Sequence, residues 1–158
     1  MFVFALLMYP ALFAVPVWLI AVAVKLISVA LPGRRTDWSV DLLRWCVGMA
    51  AAAAVGLCVL GLGMVQFEEH DSQSGADSTP SHSCRDVPPS TMEHLFGQQP
   101  SYLPLGFDCV LDDGTTYPSS DIYAWMNALI VGFGVGAVVL AVAGGFVAER
   151  RARAQADA

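Results

Sequence analysis

Charge is what this chain has least of: only 14% of its 158 residues are charged against 56% hydrophobic, and the scarcity is concentrated. Phe2 to Val24 is 23 residues without a charge, Trp45 to Val65 is 21 wholly apolar residues, and Ala124 to Ala148 is 25 residues interrupted only by Asn127. That pattern excludes an ordinary soluble domain, whose apolar residues are dispersed among polar ones. Each block exceeds the roughly 20 residues that cross about 30 Å of hydrocarbon as a helix. Three transmembrane helices are predicted.

Basic residues are almost missing from the stretch Glu68 to Asp121, which holds ten acidic residues and only Arg85. Lys25, Arg34, Arg35 and Arg44 flank the connection between the first two apolar blocks, and Arg150, Arg151 and Arg153 follow the third. Short loops rich in Lys and Arg stay cytoplasmic. The expected topology is therefore an N-terminus outside, a long acidic segment outside, and a cytoplasmic C-terminus in a multi-pass protein of the cell membrane. The basic clusters are short and hug the membrane, so they predict contact with lipid headgroups and no nucleic-acid partner. No Lys or Arg follows Met1 before the first apolar run, and that run is too long for the h-region of a signal peptide, so a spanning helix is the expectation there.

Catalytic groupings are also lacking. There is no Ser/His/Asp spacing, no glycine-rich phosphate loop, no C-x-x-C and no paired carboxylate within an apolar run. His70, His82 and His94 with Cys84 match no zinc spacing, which leaves no metal or cofactor to expect. Asp112 and Asp113 are adjacent to Gly114, where turn geometry explains them. The interiors of the apolar blocks offer nothing to line a transport path.

The residues present divide the chain as follows: a first span over 2–31 with Pro10 and Pro16 as kink sites, an inner loop over 32–41, and a second span over 42–67. An acidic tether over 68–83, a minidomain over 84–121, a third span over 122–148 and a basic tail over 149–158 complete it. Thr36 or Asp37 can cap the helix that enters the second span. Lys25, Arg34, Arg35, Arg150 and Arg151 are expected as inner interface anchors, Lys25 by snorkelling. Tyr123 and Trp125 are expected as an aromatic anchor at the outer interface.

Small residues recur at helical spacing in two spans. Gly48, Ala52 and Gly56 form one stripe, and Gly132, Gly136, Ala137, Ala141 and Gly145 form another. Such stripes let helix backbones approach in lipid, either within the chain, in a homo-oligomer or against another membrane protein.

Four cysteines follow the same compartment logic. Cys84 and Cys109 lie in the exported segment, where a bridge forms and persists. Cys46 and Cys58 are about 18 Å apart along one helix and cannot bridge each other. Ser90-Thr91-Met92-Glu93 reads as a capping box opening a helix that Gly97 ends. Beyond Pro100, a strand with Phe107, Cys109 and Leu111 on one face, the Asp112-Asp113-Gly114 turn and a second short strand predict a hairpin. A module of this size needs its disulfide to hold.

The run Ser101-Tyr102-Leu103-Pro104-Leu105, with Cys109 four residues on, the Asp-Gly turn, a Tyr-Pro-Ser run and a final span carrying Trp125 and Asn127, resembles small multi-pass membrane proteins of high-GC actinobacteria, those of Streptomyces-like genomes especially. The resemblance covers about residues 84–145. It implies a host and a topology and no mechanism. The expected fold is thus an all-α membrane protein of three transmembrane helices, with a small disulfide-stapled extracytoplasmic helix and hairpin. The expected role is non-catalytic, an accessory or binding subunit. A membrane thiol–disulfide protein and a small oligomeric channel are the alternatives.

Overall fold

In lipid the backbone's polar groups are satisfied only within helices or closed barrels, and each long apolar run lies within one helix here. The computed structural model describes residues 2–30, 38–75, 81–85 and 89–156. Helix α1 spans Phe2–Ala30, α2 spans Trp38–Ser72 and α4 spans Ile122–Ala156, with the short α3 at Pro89–Met92. Helices α2 and α4 are long and apolar enough to cross a membrane, and the apolar stretch Phe13–Ser28 of α1 is shorter. Helix α1 is continuous through Pro10 and Pro16. Arg34, Arg35, the inner connection over 31–37 and the tether residues 76–80 lie outside the described residues.

The chain is not all-α. Strands β1 (Leu95–Tyr102), β2 (Leu105–Leu111) and β3 (Thr116–Pro118) form one antiparallel sheet in the order β1-β2-β3. The capping-box segment makes only the four residues of α3, and Leu95, Phe96 and Gly97 lie in β1. Leu95 pairs with Leu111 and Tyr102 with Leu105, a ladder that local helix signals cannot outweigh. Pro100 fits because β1 is the sheet's edge. The β2–β3 turn is made by Asp112, Asp113 and Gly114, with Gly114 at φ 80°. Asp113 accepts from the Thr115 amide at 2.8 Å and from its hydroxyl at 2.6 Å.

Two helices outrun their expected ends. Helix α2 continues past residue 67 through Glu68, Glu69, His70 and Asp71 to Ser72. Elongating a helix that already exists is far cheaper than nucleating one, so polar composition alone does not stop it. The Ser72 hydroxyl donates to the Glu69 carbonyl at 2.6 Å, and the Gln73 and Ser74 amides close the last carbonyls. Helix α4 runs on through the tail to Ala156 on good helix formers, with an Arg153–Glu149 pair one turn apart.

The chain divides into two units, Ala51–Val135 and Met1–Ala50 with Gly136–Ala158. In the second of these, the Trp18 indole N–H donates to the Met49 carbonyl at 3.3 Å, joining α1 to α2. Arg151 of α4 donates to the Ser39 hydroxyl of α2 at 2.6 Å. A shallow groove between these helices is lined by Val40, Arg44, Val47, Leu140, Ala141 and Gly145.

Candidate functional site

In the unit Ala51–Val135, alternation along β2 sends Leu105, Phe107 and Cys109 to one face, and all three are buried. With Val65 of α2, Tyr123 of α4 and Cys84 they form the core, with Leu62, Met64, Leu95, Tyr117 and Ile130 packed around it. The Cys84–Cys109 disulfide closes across a sequence separation of 25, with a Cα–Cα distance of 5.8 Å. The Tyr117 hydroxyl donates to the Cys84 carbonyl at 2.9 Å, so the segment holding Cys84 is tied to both β2 and β3.

Leu105 keys the sheet into the helices. Its side chain lies against Gly61 of α2 so closely that a Cβ there would come within 2.3 Å of Leu105 Cδ1 and 3.0 Å of Met126 Cε. Asn127 of α4 holds the same residue by its backbone: the Leu105 amide donates to Asn127 Oδ1 at 3.0 Å, and Asn127 Nδ2 donates to the Leu105 carbonyl at 2.7 Å. A single side-chain amide thus completes the strand end as another strand would. The preceding turn is fixed as well. The Ser101 hydroxyl donates to the Pro104 carbonyl at 2.7 Å, and the Tyr102 hydroxyl donates to the Glu69 carboxylate.

Near these contacts Glu68 faces Tyr123 and Ser119. The geometry closes no hydrogen bond for Glu68 Oε2, Ser119 Oγ or the Tyr123 hydroxyl, although all three atoms are buried. Tyr123, expected as an interface anchor, is 3% exposed and belongs to the core, whereas Trp125 is 71% exposed. A tyrosine at a helix start is read as an anchor only when nothing packs over it, and here the sheet does.

The small-residue stripes are placed differently from the close approaches. An added Cβ at Gly48, Gly56, Gly132, Gly136 or Gly145 would meet nothing within 4 Å, and Ala52 and Ala141 are exposed. Ala137 is buried. The contacts fall instead at Gly61, and at Gly144 beside Leu43 Cβ at 3.8 Å. Among the described residues, the close approaches within the chain fall outside the glycines of the two stripes. Of the residues expected as interface anchors, Lys25 is half-buried and Arg150 exposed.

At the far end of the sheet, Ser90, Thr91, His94, Leu111, Asp112 and Asp113 line a shallow concavity. His94 Nδ1 lies 2.9 Å from Asp112 Oδ2, and that hydrogen bond, together with the Asp112 charge, holds the His94 pKa above its ordinary value. A raised pKa makes the contact stabilising below the unfolded histidine value of about 6.5, and the contribution disappears as pH rises through the folded value. An NMR titration should therefore show the His94 midpoint falling back toward the ordinary value in Asp112→Asn. An unchanged midpoint would show that the pair does not hold the proton.

The disulfide cysteines are both fully buried. Thiol–disulfide exchange needs an attacking thiolate to reach a sulfur in line, and burial denies it that path. Cys46 and Cys58 are free and half-buried on α2. Among the described residues, no three His, Cys, Asp or Glu side chains are grouped to hold a metal ion. Comparison with protein-family models, with curated proteins and with solved structures finds no match for this chain.

Proposed function

We propose that the chain is a three-span protein of the cell membrane with its N-terminus and sheet module outside and its C-terminus in the cytoplasm, acting as a non-catalytic accessory or binding subunit. The host envelope in this reading is that of a high-GC actinobacterium. Basic residues concentrated at one end of the apolar helices support the orientation. The observation that carries the binding role is the open space over Gly48, Gly56, Gly132 and Gly136. These positions suit close helix approach in lipid, and among the described residues nothing lies within 4 Å of a Cβ added there. A membrane helix from another protein, or from a second copy, is the occupant.

Native mass spectrometry of the protein extracted from its own membranes in mild detergent tests this. A homo-oligomer or a stoichiometric complex is expected, and Gly56→Ile and Gly132→Ile should release the monomer while leaving the disulfide and the sheet intact. A wild-type protein that is monomeric and alone would overturn the reading. The burial of Cys84 and Cys109 withdraws support from the thiol–disulfide alternative.

A further inference from the structure

The β1–β2 turn is pinned on every side but one. Ser101 closes it on the Pro104 carbonyl, Tyr102 is held by Glu69, and Leu105 is held by Asn127 and lies against Gly61. Leu103, in the middle of this fixed turn, is 94% exposed, the most exposed large hydrophobic side chain among the described residues. A mobile loop can hide such a side chain by folding over it. A turn held by three separate contacts cannot.

The level of the turn along the helices identifies what covers Leu103. Gly61, which Leu105 touches, lies four residues inside the end of the apolar run at Val65, about 6 Å along the helix axis. Tyr102 reaches the other way, to Glu69 beyond that end. Leu103 therefore sits between the last apolar turn of α2 and its first charges, where a bilayer changes from acyl chains to headgroups. Trp125, 71% exposed, is two residues from Asn127, which holds Leu105, and next to Met126, whose methyl lies over Gly61 as Leu105 does, so an indole and an isobutyl group are exposed at one level. Phe67 and Ile122 are also exposed near it, at 43% and 46%. Aromatic and aliphatic side chains at that depth lie in the interface.

We infer that the β1–β2 turn is a membrane-inserting element, with Leu103 buried in the acyl-chain boundary of the leaflet that the sheet module faces. The inference rests on the membrane reading above and adds to it a site where the module itself grips lipid. The sheet is thereby held at a fixed height and tilt, by Leu103 on lipid and by Leu105 on the helices.

The test is nitroxide scanning of the full chain in vesicles of phosphatidylethanolamine and phosphatidylglycerol, in a Cys46→Ala/Cys58→Ala background that keeps the buried bridge. Labels are placed singly through Leu103→Cys, Phe96→Cys and Val55→Cys, the last at a 63% exposed position within the apolar run of α2. Mass spectrometry first confirms that the Cys84–Cys109 bridge is intact in each. The expected result is that collisions with oxygen exceed those with a water-soluble nickel complex at positions 103 and 55, and that the ratio is several-fold lower at position 96. If position 55 reads as lipid and position 103 as water, the insertion is overturned and the membrane reading stands. If position 103 is shielded from both colliders, a protein surface covers it, and the insertion is overturned as well. If position 55 itself reads as water, the membrane reading fails and takes the insertion with it.

Discussion

Replacing Cys84 and Cys109 together by alanine is expected to cost the sheet module about 3.5 kcal/mol, the loop-closure entropy of a 25-residue bridge. The size of that loss is judged against what else holds the module. Its core is Leu105, Phe107 and the two cysteines, completed by Val65 and Tyr123 from the helices. A core this small supplies only a few kcal/mol after chain ordering is counted, so the bridge accounts for most of the module's margin. Hydrogen exchange measured by mass spectrometry is the direct check. Protection should collapse across β2 and β3 in the double variant and persist in α2 and α4. Unchanged protection in β2 would mean that docking onto the helices suffices.

Asn127→Ala is expected to cost about 2–4 kcal/mol, because it leaves both the amide and the carbonyl of Leu105 without partners in a part-buried site. Alanine is the better helix former, so the intrinsic preference of α4 acts in the opposite direction, but by only a few tenths of a kcal/mol. Asn127→Asp separates the two bonds. It keeps an acceptor for the Leu105 amide but sets a carboxylate oxygen against the Leu105 carbonyl, so its loss of stability should at least match that of alanine while the Leu105 amide stays bonded. The readout is exchange of the Leu105 amide itself, fast in Asn127→Ala and slow in wild type. If that amide stays protected in the alanine variant, Gly61 and Met126 hold the turn without the amide pair.

These two features differ in how far the residues alone disclose them. The bridge is legible because an export argument leaves Cys84 and Cys109 together and strands Cys46 and Cys58 on one helix. The β2–β3 hairpin is legible because Asp112-Asp113-Gly114 stands between a strand-like alternation and Thr116-Tyr117-Pro118. Asn127 stands out as the one polar interruption of its apolar run, but its partner is a backbone, and backbone groups leave no mark in a sequence. Strand β1 is illegible for a related reason. Ser90 to Glu93 carries a local helix signal, and nothing local in Leu95–Tyr102 reveals that β2 has a free side to pair with. Gly61 carries no local mark because its neighbour, Leu105, lies far along the chain, whereas the stripes at Gly48 and Gly132 repeat locally. Periodicity reports which residues share a face; only the fold decides which face meets another element.

Strand β1 is one of the two edges of the sheet, and its pairing with β2 is broken by a bulge between Leu95 and Gly97. The bulge turns Phe96 outward, 77% exposed, and Pro100 a few residues on has no N–H to donate. Copies crowded into one membrane present identical edges to each other, which is the arrangement that lets sheets zip into continuous ribbons. Here the ladder would be interrupted at two points within eight residues. Neighbouring copies can touch through side chains and still part again, because the backbone offers no unbroken seam along which a fibre could grow.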